Sequence, residues 1–293
     1  MKILLTGVTG QVGWELQRTL MTVGEVIAVK RHQMDLAEPD TIFSIIAEIK
    51  PNLIINAAAY TAVDRAESEP ELAMLINGVA VGAIAQAAAR VGAAMIHYST
   101  DYVFNGAKAT AYTELDQPNP QNIYGKTKLA GEQAIISVGV PYLILRTSWV
   151  YGLRGKNFLL TMLKLAQERE EIRVVDDQIG APTWSRMIAE ITAQILFQSP
   201  QNVTDFIANK SGIYHLTASG QTSWYEFAKA ILVDDIKSSR KLQRLLAITT
   251  AEYPTAASRP ANSLLENKKL SHTFGLFLPD WEKILDLVIT NNY

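Results

Sequence analysis

Residues 1–20 read MKILLTGVTGQVGWELQRTL, and this stretch decides the fold. Residues 2–6 form a short apolar run typical of a strand buried on both faces, and apolar residues at helical spacing follow from residue 11. Gly7, Gly10 and Gly13 lie at the junction. Glycine there permits a tight turn off the strand, close approach of the backbone to a pyrophosphate, and close packing of helix on strand. The stretch therefore predicts a dinucleotide-binding unit, with a purely structural turn as the alternative.

The same alternation of strand and helix continues to about residue 152. Further strand patterns lie at residues 25–30, 52–58, 94–100 and 142–147, and helical patterns lie at 11–21, 39–49, 71–91 and 124–138. They predict an α/β fold with a doubly wound parallel sheet, the Rossmann arrangement, over residues 1–152. Helical patterns at 157–169, 185–198 and 223–233 and one strand pattern at 212–217 follow. We expect residues 153–293 to form mainly a smaller α+β substrate-binding lobe, interleaved with the sheet.

Composition limits the chemistry that the chain can perform. It has 293 residues, 27 Lys plus Arg against 29 Asp plus Glu, and no cysteine. Without cysteine there are no disulfides, thiolate nucleophiles or Cys-ligated metals, so redox chemistry needs a bound cofactor. A net charge of −2 lacks the basic field that binds nucleic acid, and no nucleic-acid partner is expected. The four histidines have no metal-ligand spacing and are interpreted as structural or surface residues: His32, His97, His215 and His272.

The sequence does not show the patterns of a membrane span or a secretory signal. No run of about 18 apolar residues occurs, so we expect no membrane span. The glycines from Gly7 onward break the N-terminal apolar stretch before the core of a secretory signal could form. We therefore expect a cytoplasmic protein.

The end of the second predicted strand bears on the choice of cofactor. An acidic residue there accepts the ribose hydroxyls of NAD, whereas a basic one accommodates the 2′-phosphate of NADP. Here the strand runs into Lys30 and Arg31, which favours NADPH without excluding NADH; the alternative is a solvated basic turn. Asp35 and Leu36 are placed beside the adenine. The remaining predicted cofactor contacts are the small or loop residues Thr9, Gln11, Val12, Ala57, Ala58 and Ala59, with the three glycines of the loop.

A candidate catalytic group follows the fourth strand. Tyr124 and Lys128 are four residues apart at the start of a predicted helix, hence on one face. A ketone that accepts hydride develops negative charge on oxygen and needs a proton. A nearby ammonium and the positive charge of the nicotinamide are expected to lower the pKa of a phenol toward the working range. Thr100 ends the preceding strand and can hold the carbonyl oxygen. Alone, Tyr124 and Lys128 would be a surface pair; the glycine loop favours catalysis, with both also contacting the cofactor.

These features resemble the extended short-chain dehydrogenases/reductases, and more specific segments resemble the dTDP-4-dehydrorhamnose reductase family. The segments cover nearly the whole chain: NAAAYTAVD (56–64), STDYVFNG (99–106), YGKTKLAGE (124–132), RTSWVYG (146–152), DQIGAPT (177–183), GIYHL (212–216) and RPANSL (259–264). Residues 234–253, where the lid of the substrate pocket would lie, carry little recognisable pattern.

The resemblance implies that hydride passes from NADPH to C4 of dTDP-4-dehydro-β-L-rhamnose while Tyr124 protonates the forming alkoxide. It also places Asn77 near the site, to order a proton relay or simply as a helix-surface amide. The residues implied for the nucleotide-sugar pocket, each of which could instead be packing, are Val103, Phe104, Trp149, Asn157 and Arg259. Some reductases of the family use Mg²⁺, but no local cluster supports a site at carboxylates such as Glu15 and Glu190. The sequence does not determine the oligomeric state, for which a homodimer is one alternative.

Two other functions remain as alternatives. A nucleotide-sugar epimerase or dehydratase would share the fold, but dehydratases of this superfamily carry an Asp-Glu pair after the catalytic Thr, and here Asp101-Tyr102 follows. A non-catalytic, NADP-binding regulatory subunit would not need the intact Thr100, Tyr124 and Lys128.

Overall fold

The computed structural model describes residues 1–199, 202–232 and 241–292. Its strands, in chain order, are Lys2–Thr6 (β1), Glu25–Ala28 (β2), Leu53–Asn56 (β3), Ala94–Thr100 (β4), Tyr142–Thr147 (β5), Val150–Tyr151 (β6), Glu171–Val175 (β7), Ile179–Gly180 (β8), Thr183–Trp184 (β9), Gly212–His215 (β10), Thr222–Ser223 (β11) and Arg244–Ile248 (β12). Its α-helices are Gln11–Leu20 (α1), Pro39–Ile49 (α2), Val63–Ala66 (α3), Pro70–Met74 (α4), Ala80–Val91 (α5), Ile123–Val138 (α6), Phe158–Glu168 (α7), Ser185–Phe197 (α8), Val203–Ala208 (α9), Trp224–Leu232 (α10), Lys268–Phe274 (α11) and Trp281–Asn292 (α12).

A six-stranded parallel sheet forms the centre, in the order β10-β5-β4-β3-β1-β2. The predicted doubly wound α/β fold is confirmed. β2 and β3 lie on opposite sides of β1, so the strand order reverses beside β1. In open sheets of this kind, ligands bind at such a reversal, beyond the carboxyl ends of the strands.

The alternation of side chains along the strands builds two cores, one on each face of the sheet. Ile3 and Leu5 of β1 join one cluster with α1, α8 and α9, and Leu4 joins the other with α2 and α5. All three side chains are fully buried. Because both faces are covered, the strands appear in the sequence as continuous apolar runs rather than as alternating patterns.

The second half of the chain contributes to the sheet and also builds a separate core. β10 falls within the predicted strand at 212–217 and pairs with β5 at the edge of the main sheet, while α8 and α9 cover one of its faces. A third cluster lies between α7, α10, α12 and the parallel pair β7–β12, with Phe227 fully buried. The limits of the two domains stay a prediction. The last residue of the predicted helix 223–233 and residues 234–240 of the expected lid lie outside the described residues.

The predicted helix at 71–91 is interrupted. α4 passes through a π-helical turn, Leu75–Val79, into α5, so that one extra residue is accommodated around Asn77. The stretch Pro70–Val91 has 22 residues, its most apolar 18-residue window has a mean hydropathy of 1.8, and by length and composition it could cross a membrane. However, 56% of its most apolar window is buried inside the protein, where α5 packs against α2 and α6. We interpret it as a core helix, since buried core helices can have the same length and composition as membrane-spanning ones.

Candidate active site

A cleft of ≈730 Å³ opens at the carboxyl ends of the central strands. It brings together most of the residues predicted from the sequence: Gly7, Thr9, Gly10, Gln11, Val12, Lys30, Arg31, Asp35, Leu36, Ala57, Ala58, Ala59, Thr100, Tyr124, Lys128 and Trp149. Its wall also includes residues that were not predicted, among them Asp101, Tyr102, Thr147, Ser148 and Lys156. The cleft therefore joins the expected cofactor loop and the expected catalytic group in one space.

The glycine loop has the geometry of a phosphate cradle. Gly7 adopts φ +71, and a Cβ there would lie 2.3 Å from the carbonyl carbon of Ala57. A Cβ on Gly13 would lie 2.1 Å from the Gly7 carbonyl oxygen. Gly10 precedes α1, and no side chain caps the N-terminus of this helix. The first N–H groups of α1 thus face the cleft without a side-chain acceptor, which fits a bound pyrophosphate.

Gly13→Ala is expected to disrupt this cradle. The added methyl group would collide with the backbone of Gly7. To relieve this collision, the N-terminus of α1 would have to move away from the loop. We expect the Kd for NADPH, measured by fluorescence titration, to rise by more than about tenfold, the equivalent of roughly 1.4 kcal/mol of binding free energy. Gly212→Ala is the matched control, because its Cβ would meet the flexible end of the Lys269 side chain at 3.3 Å and the Tyr214 ring at an ordinary contact distance of 3.6 Å, and no backbone. Unchanged affinity in Gly13→Ala would remove the loop from cofactor binding.

The basic pair after β2 lies at the outer rim of the cleft. The Arg31 side chain is 76% exposed, and its Nε donates to Oδ2 of Asp35 at 3.0 Å. The backbone N–H of Ala37 lowers the pKa of Asp35, and Arg31 contributes in the same direction. Asp35 is therefore an anion held by Arg31. The guanidinium of Arg31 keeps donors that a phosphate in the cleft could use.

The predicted catalytic side chains come from two neighbouring elements. Thr100 is the last residue of β4, and Tyr124 and Lys128 lie one turn apart on α6. Asn122 fixes the start of α6, since its Oδ1 accepts from the N–H of Gly125 at 2.8 Å. A Cβ on Gly125 would lie 2.2 Å from the Tyr102 carbonyl oxygen, so glycine lets α6 approach the end of β4 closely. The sequence spacing therefore produces the expected convergence.

The protein's own groups keep Tyr124 protonated, and the expected lowering of its pKa by Lys128 is not found among them; the lowering by the charge of the nicotinamide stays a prediction. Burial raises the pKa of Tyr124, the Asp101 carboxylate adds to this, and Thr100 acts in the opposite direction. Lys128 does not oppose the shift, because its Nζ is directed to the Tyr98 carbonyl oxygen at 2.7 Å and to Nε2 of His97 at 3.1 Å. Tyr124 is thus in the state that a proton donor needs.

Asn77 lies behind the catalytic helix and not on a helix surface. It is 1% exposed, and its Oδ1 accepts from the Tyr60 N–H at 2.8 Å. Its Nδ2 donates to the Tyr60 carbonyl oxygen and to Oγ1 of Thr127, each at 3.1 Å. The surface-amide alternative was wrong, because the π-helical turn carries this side chain inward. A part in a proton relay stays a prediction.

Three residues implied for the nucleotide-sugar pocket have other contacts in this structure. Val103 and Phe104 are buried in a small cluster, where Phe104 stacks on Tyr112 with centroids 4.2 Å apart. Asn157 caps α7: its Oδ1 accepts from the Leu160 N–H at 3.1 Å. Its Nδ2 donates to the Gly152 carbonyl oxygen at 2.8 Å. None of the three side chains lines the cleft, because core packing or helix capping holds each one, so their contact with substrate stays a prediction.

Trp149 and Arg259 are better placed for a ligand. Trp149 lines the cleft at φ 47, a left-handed conformation unusual for a bulky residue, and stacks on Trp224 with centroids 3.5 Å apart. Arg259 lies beside the cleft. Its Nη2 contacts Oδ2 of Asp64 at 2.6 Å, and its Nη1 donates to the Tyr102 hydroxyl at 3.3 Å. Tyr102 in turn packs edge-on against Tyr124 at 5.5 Å.

Asp101 is a functional candidate that was not predicted from the sequence. There, its neighbour Tyr102 in place of Glu served only to distinguish the chain from the dehydratases. It is 3% exposed, its Oδ1 accepts from the Thr100 hydroxyl at 3.0 Å, and burial raises its pKa to about 6. A buried carboxyl that has a raised pKa and lies in a cleft beside reactive groups is a candidate functional residue. Its position directly after Thr100 is the signal that could have identified it.

Neither carboxylate considered for Mg²⁺ is free of protein cations. Arg18 bridges Glu15 and Glu190 at 3.3 Å to each, and Arg186 contacts Glu15 at 3.2 Å. Among residues 1–199, 202–232 and 241–292, no group of three or more potential metal ligands occurs.

A doubly wound sheet with a glycine loop, a hydroxyl residue ending β4 and a Tyr-x-x-x-Lys pair on the next helix defines an extended short-chain dehydrogenase/reductase. The family model described as RmlD substrate binding domain matches residues 1–293, and the chain belongs to this family.

Individual relatives agree with this assignment. The chain is 48% identical to a dTDP-4-dehydrorhamnose reductase of Burkholderia thailandensis, over 99% of this chain and 98% of that protein. A solved dTDP-4-dehydrorhamnose reductase from Bacillus anthracis, in complex with NADP, superposes with a TM-score of 0.90 at 36% identity, covering 99% of both chains. A UDP-glucose 4-epimerase of Thermotoga maritima, in a structure with UDP-glucose, reaches a TM-score of 0.81 at 15% identity, covering 99% of this chain and 98% of that chain. This last likeness shows the fold alone.

Proposed function

We infer that the protein is an NADPH-dependent oxidoreductase that reduces the C4 keto group of dTDP-4-dehydro-β-L-rhamnose to give dTDP-L-rhamnose, the last step of dTDP-rhamnose biosynthesis. The observation that carries this inference is the convergence of Thr100, Tyr124 and Lys128 in the cleft that the glycine loop opens. The relatives named dTDP-4-dehydrorhamnose reductase support the substrate, and the relative in complex with NADP supports the cofactor.

The cleft suits the cofactor along its whole length. The loop from Gly7 to Gly13 would hold the pyrophosphate, Lys30 and Arg31 the 2′-phosphate, and Ala57–Ala59 leave room for the chain of the cofactor to pass close to the backbone. When bound, NADPH supplies the hydride. The Lys128 amine and the Tyr124 hydroxyl lie in the same cleft and would contact the nicotinamide ribose.

The side chains of this site then handle the oxygen and its proton. As C4 is reduced, negative charge develops on its oxygen, and the Thr100 hydroxyl, which donates to Asp101 in the free protein, turns its proton to this oxygen and stabilises that charge by a hydrogen bond. Tyr124, whose pKa the protein raises, donates its proton to this oxygen. The resulting phenolate is a strong base and is reprotonated before the next turnover. Burial lowers the pKa of Lys128 to about 8, so near that pH its ammonium group can release a proton at a modest cost in free energy.

The alternatives predict different outcomes in one assay. Purified protein is incubated with NADPH and a dTDP-4-keto-6-deoxy sugar generated in situ, and NADPH fluorescence and sugar products are followed together. Stoichiometric oxidation of NADPH with formation of dTDP-L-rhamnose supports the reductase. Sugar isomerisation or dehydration without net oxidation of the cofactor would establish an epimerase or dehydratase, and tight NADPH binding without any product would favour the regulatory subunit.

The double replacement Lys30→Ala, Arg31→Ala tests cofactor choice. Both side chains line the cleft, and a phosphate that loses two charge-assisted hydrogen bonds of about 1.5 kcal/mol or more each binds at least about 100-fold more weakly. We expect the KM for NADPH to rise by about that factor while the KM for NADH, which lacks the 2′-phosphate, changes less than about threefold. Parallel losses for both cofactors would assign the basic pair to folding or to the pyrophosphate.

We also propose that the enzyme acts in the cytoplasm, where a reduced nicotinamide cofactor is available. A homodimer stays a prediction, and sedimentation equilibrium of the purified protein is the measurement that decides it.

A further inference from the structure

His97 connects the catalytic lysine to the interior of the sheet. It lies on β4 and is fully buried, and each of its two ring nitrogens contacts a polar side chain. Its Nδ1 is 3.1 Å from Nδ2 of Asn56 on β3, and its Nε2 is 3.1 Å from Nζ of Lys128 on α6. From its sequence context this histidine was predicted to be a structural or surface residue, and its contacts give it a more specific position.

The hydrogen bonds around Asn56 determine the tautomer of His97. The backbone N–H of Ala58 can only donate, so the Asn56 atom that it contacts at 3.2 Å is the carbonyl oxygen Oδ1, which also accepts from the Thr6 hydroxyl at 2.7 Å. The amide nitrogen of Asn56 therefore faces His97 as a donor. Nδ1 of His97 has to accept, and in a neutral imidazole the proton then resides on Nε2.

The proton on Nε2 points at the Lys128 amine. An ammonium has no lone pair and cannot accept this hydrogen bond, whereas a neutral amine can, while still donating to the Tyr98 carbonyl oxygen at 2.7 Å. We propose that His97 is a positioning residue of the active site, which fixes the Lys128 side chain and, through its Nε2–H, selectively stabilises the uncharged amine.

The other groups near Lys128 do not reproduce this effect. On α6, Glu132 lies one turn further and favours the ammonium, but its carboxylate is held in a bidentate contact by Arg146 of β5. Tyr124 lies one turn back and is protonated, and the other β4 contact of Nζ besides His97 is the Tyr98 carbonyl oxygen, which accepts. His97 itself stays neutral, because burial and then Lys128 lower its pKa well below the usual value. His97 is thus the group contacting Nζ that favours loss of the Lys128 proton.

The importance of Lys128 rests on the proposed function, so the test measures the charge of Lys128 and not a rate. The protein carries ¹³C-labelled lysine, the Lys128 resonance is assigned with Lys128→Met, and the pKa is read from its chemical shift. In His97→Asn the shorter amide keeps the contact with Asn56 but no longer reaches Nζ. We expect the pKa of Lys128 to rise by about 1 unit, the equivalent of one lost hydrogen bond.

His97→Gln is the conservative variant, because its amide nitrogen reaches approximately the position of Nε2. We expect its Lys128 to titrate close to the wild-type pKa. An unchanged pKa in His97→Asn, or equal shifts in both variants, would overturn the proposal, since the histidine would then only fill space.

A second measurement does not depend on any variant folding. The ¹⁵N chemical shifts of the His97 ring in the wild-type protein distinguish the two neutral tautomers. A protonated Nε2 with an unprotonated Nδ1 supports the proposal, and a protonated Nδ1 or a charged ring contradicts it, whether or not the enzyme reduces the proposed sugar.

Discussion

Replacing Tyr124 with phenylalanine is expected to lower kcat by about 10³-fold while NADPH still binds, because a positioned general acid typically contributes about 10²–10⁴-fold. The hydroxyl is the proton donor of the cleft, and the protein keeps it protonated by burial and by the neighbouring Asp101 carboxylate. The aromatic ring that packs against Tyr102 is retained in the variant. The loss should therefore appear in the chemical step, measured by single-turnover oxidation of NADPH, and not in the melting temperature.

Tyr142→Phe is the matched control. Tyr142 is the first residue of β5 and lies at the amino ends of the strands, whereas the cleft lies at their carboxyl ends, so removal of its hydroxyl should leave kcat and the Kd for NADPH unchanged. A Tyr124→Phe enzyme that turns over at the wild-type rate would remove this hydroxyl from the mechanism. A variant that no longer binds NADPH would show instead that the ring or hydroxyl is needed for the cofactor.

The largest loss of stability is expected from Glu132→Gln. Glu132 and Arg146 form a bidentate pair at 2.9 and 2.6 Å, with side chains 1% and 2% exposed. The variant leaves the guanidinium buried without its counter-charge. Burial and then Arg146 itself lower the pKa of the adjacent buried His215 to about 3, so that histidine stays neutral and adds no second positive charge, but an imidazole provides no counter-charge for the guanidinium. Breaking such a pair costs about 3–5 kcal/mol, which chemical denaturation should detect as a lower free energy of unfolding.

Two controls separate burial from charge. Glu171→Gln breaks the exposed pair with Arg244, whose side chain is 70% exposed, and should cost less than about 1 kcal/mol. Replacing both Glu132 and Arg146 by methionine should recover most of the loss, because no unpaired charge remains. If Glu132→Gln has the same free energy of unfolding as the wild type, the buried guanidinium donates to water or to another acceptor in the variant, and the expected loss is wrong.

Local spacing was enough to predict the parts of the site that one segment builds. Gly7, Gly10 and Gly13 lie within a single turn from strand to helix, and Tyr124 and Lys128 within one helical turn, so their geometry follows from the period of the element. The sheet was predictable for the same reason, since continuous apolar runs are characteristic of strands covered on both faces. The usual handedness of the crossovers restricts the order of the strands but does not determine it, so the position of the reversal came from the structure.

Contacts between distant segments could not be predicted in this way. His97 gains its position from Asn56 on a neighbouring strand and Lys128 on a helix, and nothing in its own segment distinguishes it from any buried histidine. Phe104 illustrates the opposite case: a motif residue expected at the pocket packs on Tyr112 and Arg146. Two-residue strands such as β6 and β9 are too short to show any periodicity.

The edge strand β10 has a consequence for the synthesis of the protein. β10 is synthesised long after β5, yet it is the only neighbour that β5 has on that side in the described sheet. On a ribosome that adds about 5–20 residues per second, the edge of β5 waits several seconds for its partner. During that interval the nascent sheet presents an unpaired edge, the kind of surface that recruits foreign strands. A ribosome stalled before residue 212 should therefore hold a chain prone to aggregation or chaperone capture, although every residue of the glycine loop and the catalytic helix has already been made.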